Sequence, residues 1–96
     1  MPGRMTYSAA LAAVLLFPGL SGARAADPGF CRDYTDAALN QVRAALSTPA
    51  CARGLEGPRW SADRHVHYEW CLGVSPRAAE AERDIRKEHL RACRGT

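Results

Sequence analysis

Past residue 27, the apolar positions of this chain recur with helical spacing in three blocks. In the first, Cys31, Tyr34, Ala38, Val42 and Ala45 stand three or four apart, with Leu39 and Leu46 beside them. That spacing draws one stripe along an α-helix. Asp27-Pro28 supplies its start, an acidic cap followed by proline at the first helical position. Pro49 ends it near Ser47 or Thr48, because proline disfavours helical backbone in the residue before it. Residues 49–60 hold two prolines, two glycines and no periodicity, and predict a loop.

Ser61 is placed to cap a second helix over 62–72, with Asp63 in its first turn and Gly73 as its stop. Val66 and Trp70 share a stripe of it, which puts Trp70 in the core and leaves Trp60 as the lead-in to the cap. Ser75-Pro76 opens a third helix that runs to about Cys93. Its expected inner face is Ala78, Ala81, Ile85, His89 and Cys93, flanked by Leu90 and Ala92. Glu80 and Arg83, Asp84 and Lys87, and Glu88 and Arg91 sit three apart with the acid first, a pattern of solvated surface. No segment shows strand alternation, so the fold class is all-α: a small three-helix bundle or helical hairpin.

The stretch ahead of the first helix has a different logic. Arg4 gives a positive start, Ala9 to Phe17 is an unbroken apolar run, Pro18-Gly19 ends it, and Ala23-Arg24-Ala25 offers a small-x-small cleavage site. Residues 1–25 are therefore expected to be a signal peptide that is removed, and 26–96 one disulfide-bonded helical domain. The apolar run is too short for a membrane span, which needs about 20 residues, so no stable membrane insertion is expected after cleavage. Periplasmic or secreted localisation follows. Of the 13 Lys and Arg residues, Arg4 and Arg24 lie in the leader, and the remainder nearly balance the 10 acids. A near-neutral domain gives no electrostatic basis for nucleic-acid binding.

Export changes the meaning of Cys31, Cys51, Cys71 and Cys93. Their spacing is unlike a zinc motif, the compartment is oxidising, and so small a core needs staples. A bridge needs Cα atoms within about 7 Å. The first helix separates its ends by roughly 24 Å at 1.5 Å per residue, which excludes Cys31 with Cys51. The third helix likewise excludes Cys71 with Cys93. Two connectivities remain. An up-down-up bundle pairs Cys31 with Cys71 and Cys51 with Cys93, and is preferred because the short turn at Gly73-Val74 favours antiparallel neighbours. The other joins Cys31 to Cys93 and Cys51 to Cys71 around a two-helix hairpin.

Candidate chemistry is sparse. His67 and Cys71 are four apart, as are His89 and Cys93, so each pair shares a helix face and together they form a Cys2His2 set. In an oxidising compartment these thiols pair with each other, leaving His89 as a core histidine that donates to a backbone carbonyl and His67 packed beside a helix end; the metal site is the alternative reading. Ser61 and Ser75 have uses as caps, the carboxylates are spread over surface pairs, and no phosphate-loop, zincin or C-x-x-C motif occurs, so no enzymatic activity and no cofactor are expected. Arg59 and Trp60, in a loop, are residue types that anchor interfaces and form the candidate binding surface.

Cys31-Arg-Asp-Tyr34, Ala37, Gln41, Cys51, Gly57-Pro58-Arg59-Trp60, His67-x-x-Trp70-Cys71, Glu82, Arg86, Leu90 and Cys93 resemble a type of small exported four-cysteine module of proteobacteria. The likeness spans nearly the whole of 26–96, and Arg-Trp with His-x-x-Trp-Cys is its most specific part. After Cys51 this chain reads Ala52-Arg53-Gly54-Leu55, where the type has glycine next to the cysteine and an aromatic after it. The resemblance implies an all-helical disulfide scaffold and carries over no catalytic residue. The expected function is a small binding module for an envelope or extracellular macromolecule. The alternatives are a periplasmic metal-binding protein and a small envelope inhibitor.

Overall fold

The computed structural model describes residues 24–95; the expected signal peptide lies largely outside the described residues. Helix α1 is Pro28–Leu46, a short α2 is Pro49–Ala52, α3 is Arg64–Leu72 and α4 is Pro76–Arg94, with a 3-10 turn at Pro58–Trp60. No strand occurs among the described residues. The class is a small all-α fold stapled by disulfides.

Local signals explain most of the helix ends. The Asp27 carboxylate accepts from the Phe30 N–H at 2.8 Å, and Ser75 Oγ accepts from the Ala78 N–H at 3.1 Å. In each case one otherwise orphaned N–H of a first turn is satisfied, and proline follows at the start of the helix. At the C-terminus of α1 the Ser47 and Thr48 hydroxyls both donate to the Ala44 carbonyl. The second helix corrects the expectation that Ser61 caps it. Ser61 Oγ accepts from the Asp63 N–H, and Asp63 becomes the cap, accepting from the His65 N–H at 2.9 Å. The Ser61 carbonyl accepts from His67 Nε2 at 2.7 Å, and the Val66 N–H bonds the Asp63 carbonyl at the start of the helix. The expected loop also contains more structure: α2 buries Cys51, and Gly54 and Gly57, at φ 74° and 82°, turn the chain between α2 and the 3-10 turn.

Helix α1 packs against both α3 and α4, and α2 closes over α1 and α4. Cys31 pairs with Cys71 across α1 and α3, with Cα atoms 5.6 Å apart. Cys51 pairs with Cys93 across α2 and α4 at 5.1 Å. Each bridge organises its own apolar cluster. Around the first lie Ala26, Tyr34, Ala38 and Ala79, covered by Phe30, Tyr68, Leu72 and Val74. Around the second lie Ala45 and Leu90, covered by Ala44, Leu55 and Trp60. The Ala26 N–H donates to the Val74 carbonyl at 2.8 Å and ties the approach to α1 onto the α3–α4 turn.

The stripe on α1 is the expected one, with Cys31, Tyr34, Ala38, Val42 and Ala45 all buried, and Thr35 added to it. On α4 the buried set is Ala79, Arg86 and Leu90, while Ala78 and Ala81 are exposed and Ile85 is 43% exposed. The inner face is thus rotated by about one residue from the hydropathy reading, because Arg86 turns inward. On α3 His67 and Cys71 are buried, and Trp70 is 40% exposed.

Candidate functional site

Arg86 is fully buried and links three parts of the chain. Its Nε donates to Gln41 Oε1 at 2.7 Å, its Nη2 to the Tyr34 hydroxyl at 2.8 Å, and its Nη1 to the Arg59 carbonyl at 3.4 Å. Tyr34 and Gln41 stand seven residues apart, two turns of α1, and so face α4 from the same stripe. Arg59 comes from the 3-10 turn, which packs on α3. The guanidinium therefore holds the connecting segment against the two long helices through three neutral acceptors.

Beside this cluster lies a pocket of about 300 Å³. Tyr34, Val66, His67 and Trp70 contribute apolar or aromatic surface, Pro58 and Gly57 form an edge, and Arg59, Glu82, Arg86 and Glu56 bring charge. The Trp70 ring lies 5.7 Å from the Tyr34 ring, centroid to centroid. Arg59 grips Glu82 with both Nε and Nη2, the latter at 3.2 Å from Oε1, which holds the arginine more firmly protonated than usual. Burial pushes the Tyr34 phenol above its ordinary value, only partly offset by the bond from Arg86, so the hydroxyl keeps its proton. Burial also lowers His67, against the bond its Nε2 makes to the Ser61 carbonyl, and the ring rests neutral.

The candidate residues separate on this map. Arg59 lines the pocket, whereas Trp60 does not: it is partly buried in the Cys51–Cys93 cluster, with its ring 4.8 Å from that of His89. The more open tryptophan is Trp70, so the roles expected for the two indoles are exchanged. Trp70 loses its core place because His67 and Cys71, one helical step around, face α1 instead. His89 Nε2 bonds the Cys51 carbonyl at 3.2 Å. The two His-x3-Cys pairs belong to different disulfides, their thiols are oxidised, and each imidazole meets a backbone carbonyl.

In the sequence Gln41, Glu82 and Arg86 carried only the resemblance, and Tyr34 only a place on the apolar stripe of the first helix. A usable signal existed on α4: Ala79, Glu82, Arg86, Leu90 and Cys93 follow the same three-and-four spacing as the stripe first chosen. Hydropathy alone selects against it because it puts an arginine and a glutamate inside. No protein-family model, curated protein or solved structure matches this chain.

Proposed function

We propose that the chain is an exported, non-enzymatic binding module that takes part of an envelope or extracellular macromolecule into the pocket between Pro58 and Trp70. The observation that carries the reading is a large, partly exposed indole beside a concave, mostly apolar surface with a few convergent polar groups. Support for export comes from the leader pattern of residues 1–25 and from two disulfides, which persist in oxidising compartments. Two of the pocket's acid–base groups already have partners, His67 Nε2 the Ser61 carbonyl and Glu82 the Arg59 guanidinium, which favours binding over catalysis. In this reading Arg59 remains a contact residue and Trp70 replaces Trp60 as the aromatic one.

The test is photo-crosslinking from a probe placed at Glu56, on the exposed pocket edge, in cells that export the protein. A discrete cross-linked partner that disappears with Trp70→Ala, while the variant accumulates to normal levels, is the expected result. An adduct pattern unaffected by Trp70→Ala removes the pocket from the interaction.

A further inference from the structure

Resting on the binding-module reading, a more specific inference concerns the chemistry of what enters. Among the described residues no carboxylate stands within ion-pair distance of the Arg86 guanidinium, and Glu82, on the pocket lining, is shared with Arg59. Arg86 is fully buried, and Gln41, Tyr34 and the Arg59 carbonyl, its three partners, are all neutral. Glu82, one turn earlier on α4, has both carboxylate oxygens engaged by Arg59. Two arginines thus share one carboxylate, a buried charge without a direct ion pair is costly, and a negative group in the adjoining cavity offsets that cost.

Tyr34 connects the cation to the cavity. It is 3% exposed, lines the pocket, and its oxygen accepts from Arg86. Among the described residues its own hydroxyl proton meets no acceptor. A phenol whose oxygen is already held by a cation is a strengthened donor. We propose that the pocket binds a carboxylate, one oxygen accepting from the Tyr34 hydroxyl with the Arg86 charge behind it, and the apolar body of the acid lying against Trp70 and Val66. The volume of about 300 Å³ suits a group the size of one amino-acid residue. Glu56 and Glu82 on the lining disfavour a doubly charged phosphate, whereas a single negative charge on an apolar body suits these walls. Two sources share this chemistry: the C-terminal residue of a polypeptide, and a free small organic acid.

Calorimetric titration of the full oxidised protein decides the matter with three probes: acetyl-Ala-Ala-Leu with a free carboxylate, the same peptide as its C-terminal amide, and 4-methylpentanoate. At least one acid should bind, and the amide should bind roughly tenfold more weakly than its parent, the factor for a hydrogen bond to a charged group. Tyr34→Phe should weaken the acid by a similar factor. Because that change also removes an acceptor from Arg86, Trp70→Ala serves as a second variant, and it too should weaken binding. A peptide that binds more tightly than 4-methylpentanoate identifies the chain terminus as the source; equal affinities identify the free acid. Equal binding of acid and amide overturns the carboxylate, and so does the absence of binding by any probe. Neither result touches the binding-module reading, which stands or falls on the cross-linking at Glu56.

Discussion

Arg86 and Tyr34, 52 positions apart, meet through a 2.8 Å hydrogen bond, with the guanidinium carbon 5.2 Å from the centre of the phenol ring. The pair joins α4 to α1 at the pocket floor. Its energetic weight comes from the planar fork, whose separate nitrogens reach Tyr34, Gln41 and the Arg59 carbonyl. A lysine has one nitrogen on a flexible stem and cannot span all three. Arg86→Lys should therefore cost about 2–4 kcal/mol in denaturant unfolding of the oxidised protein. A loss below about 0.5 kcal/mol, the range of ordinary surface changes, would contradict the assigned role.

The tryptophans should differ in the order their surroundings dictate. Trp60 packs with Ala45, Cys51 and Leu90 and against His89, so Trp60→Ala should cost about 3 kcal/mol. Trp70 is 40% exposed, and Trp70→Ala should cost about 1 kcal/mol, chiefly its contact with Tyr34. Paired thermal melts measure the difference directly, and the reverse order is incompatible with the packing described.

Thr35 is fully buried on α1, and among the described residues its Oγ1 meets no hydrogen-bond partner. Valine has nearly the same shape and the same branching, so it keeps the packing and helix preference while removing the unsatisfied hydroxyl. Thr35→Val should raise stability by about 1 kcal/mol. Destabilisation would mean that the hydroxyl has a partner after all, such as an ordered water.

Stability should fall on acidification through His67. Its folded value lies below the ordinary 6.5, with burial the main cause and Arg86 adding to it, while the bond to Ser61 and the charges of Asp63 and Glu82 oppose the shift. A group with a depressed folded value binds protons more readily when unfolded, so its contribution is complete above 6.5 and lost progressively below it. Denaturation midpoints across this interval should decline on the acid side, and His67→Gln should flatten the decline. An unchanged slope in that variant assigns the effect to other groups.

Reduction should lower the melting temperature sharply. Each bridge spans about forty positions, 40 for one and 42 for the other, and closing a loop of that size stabilises by about 4 kcal/mol on the chain-entropy account. With two small clusters each built around a disulfide, little apolar core remains to hold the helices once both are open. A melt insensitive to reductant would contradict this scaffold.

Several helix ends were legible because their causes are local, whereas the cap of α3 falls at Asp63 rather than the expected Ser61 and α2 lies in the stretch expected to be loop. Asp27 with Pro28, Ser75 with Pro76, and Gly73 act on backbone groups within a turn of themselves. The inward faces of α3 and α4 were not, since a helix offers several stripes of similar spacing and hydropathy ranks arginine and histidine outside. What brings Arg86 in is a set of acceptors at 34, 41 and 59, and what brings His67 in is the Ser61 carbonyl, neither of which one helix considered alone reveals. The pocket inherits this illegibility. Its members are ordinary one by one, and their meeting depends on a turn built by Gly54 and Gly57 that carries no periodic signal.

The order in which the cysteines pair has a topological effect. Cys31 with Cys71 and Cys51 with Cys93 interlace, so the loop closed by each contains one end of the other. A single backbone cut anywhere between Cys31 and Cys93 leaves the protein in one covalent piece. A cut between Cys51 and Cys71, the stretch that holds the exposed residues 56–59, leaves two halves joined twice. Scission within this exposed segment therefore releases no fragment and leaves both bridges joining the halves.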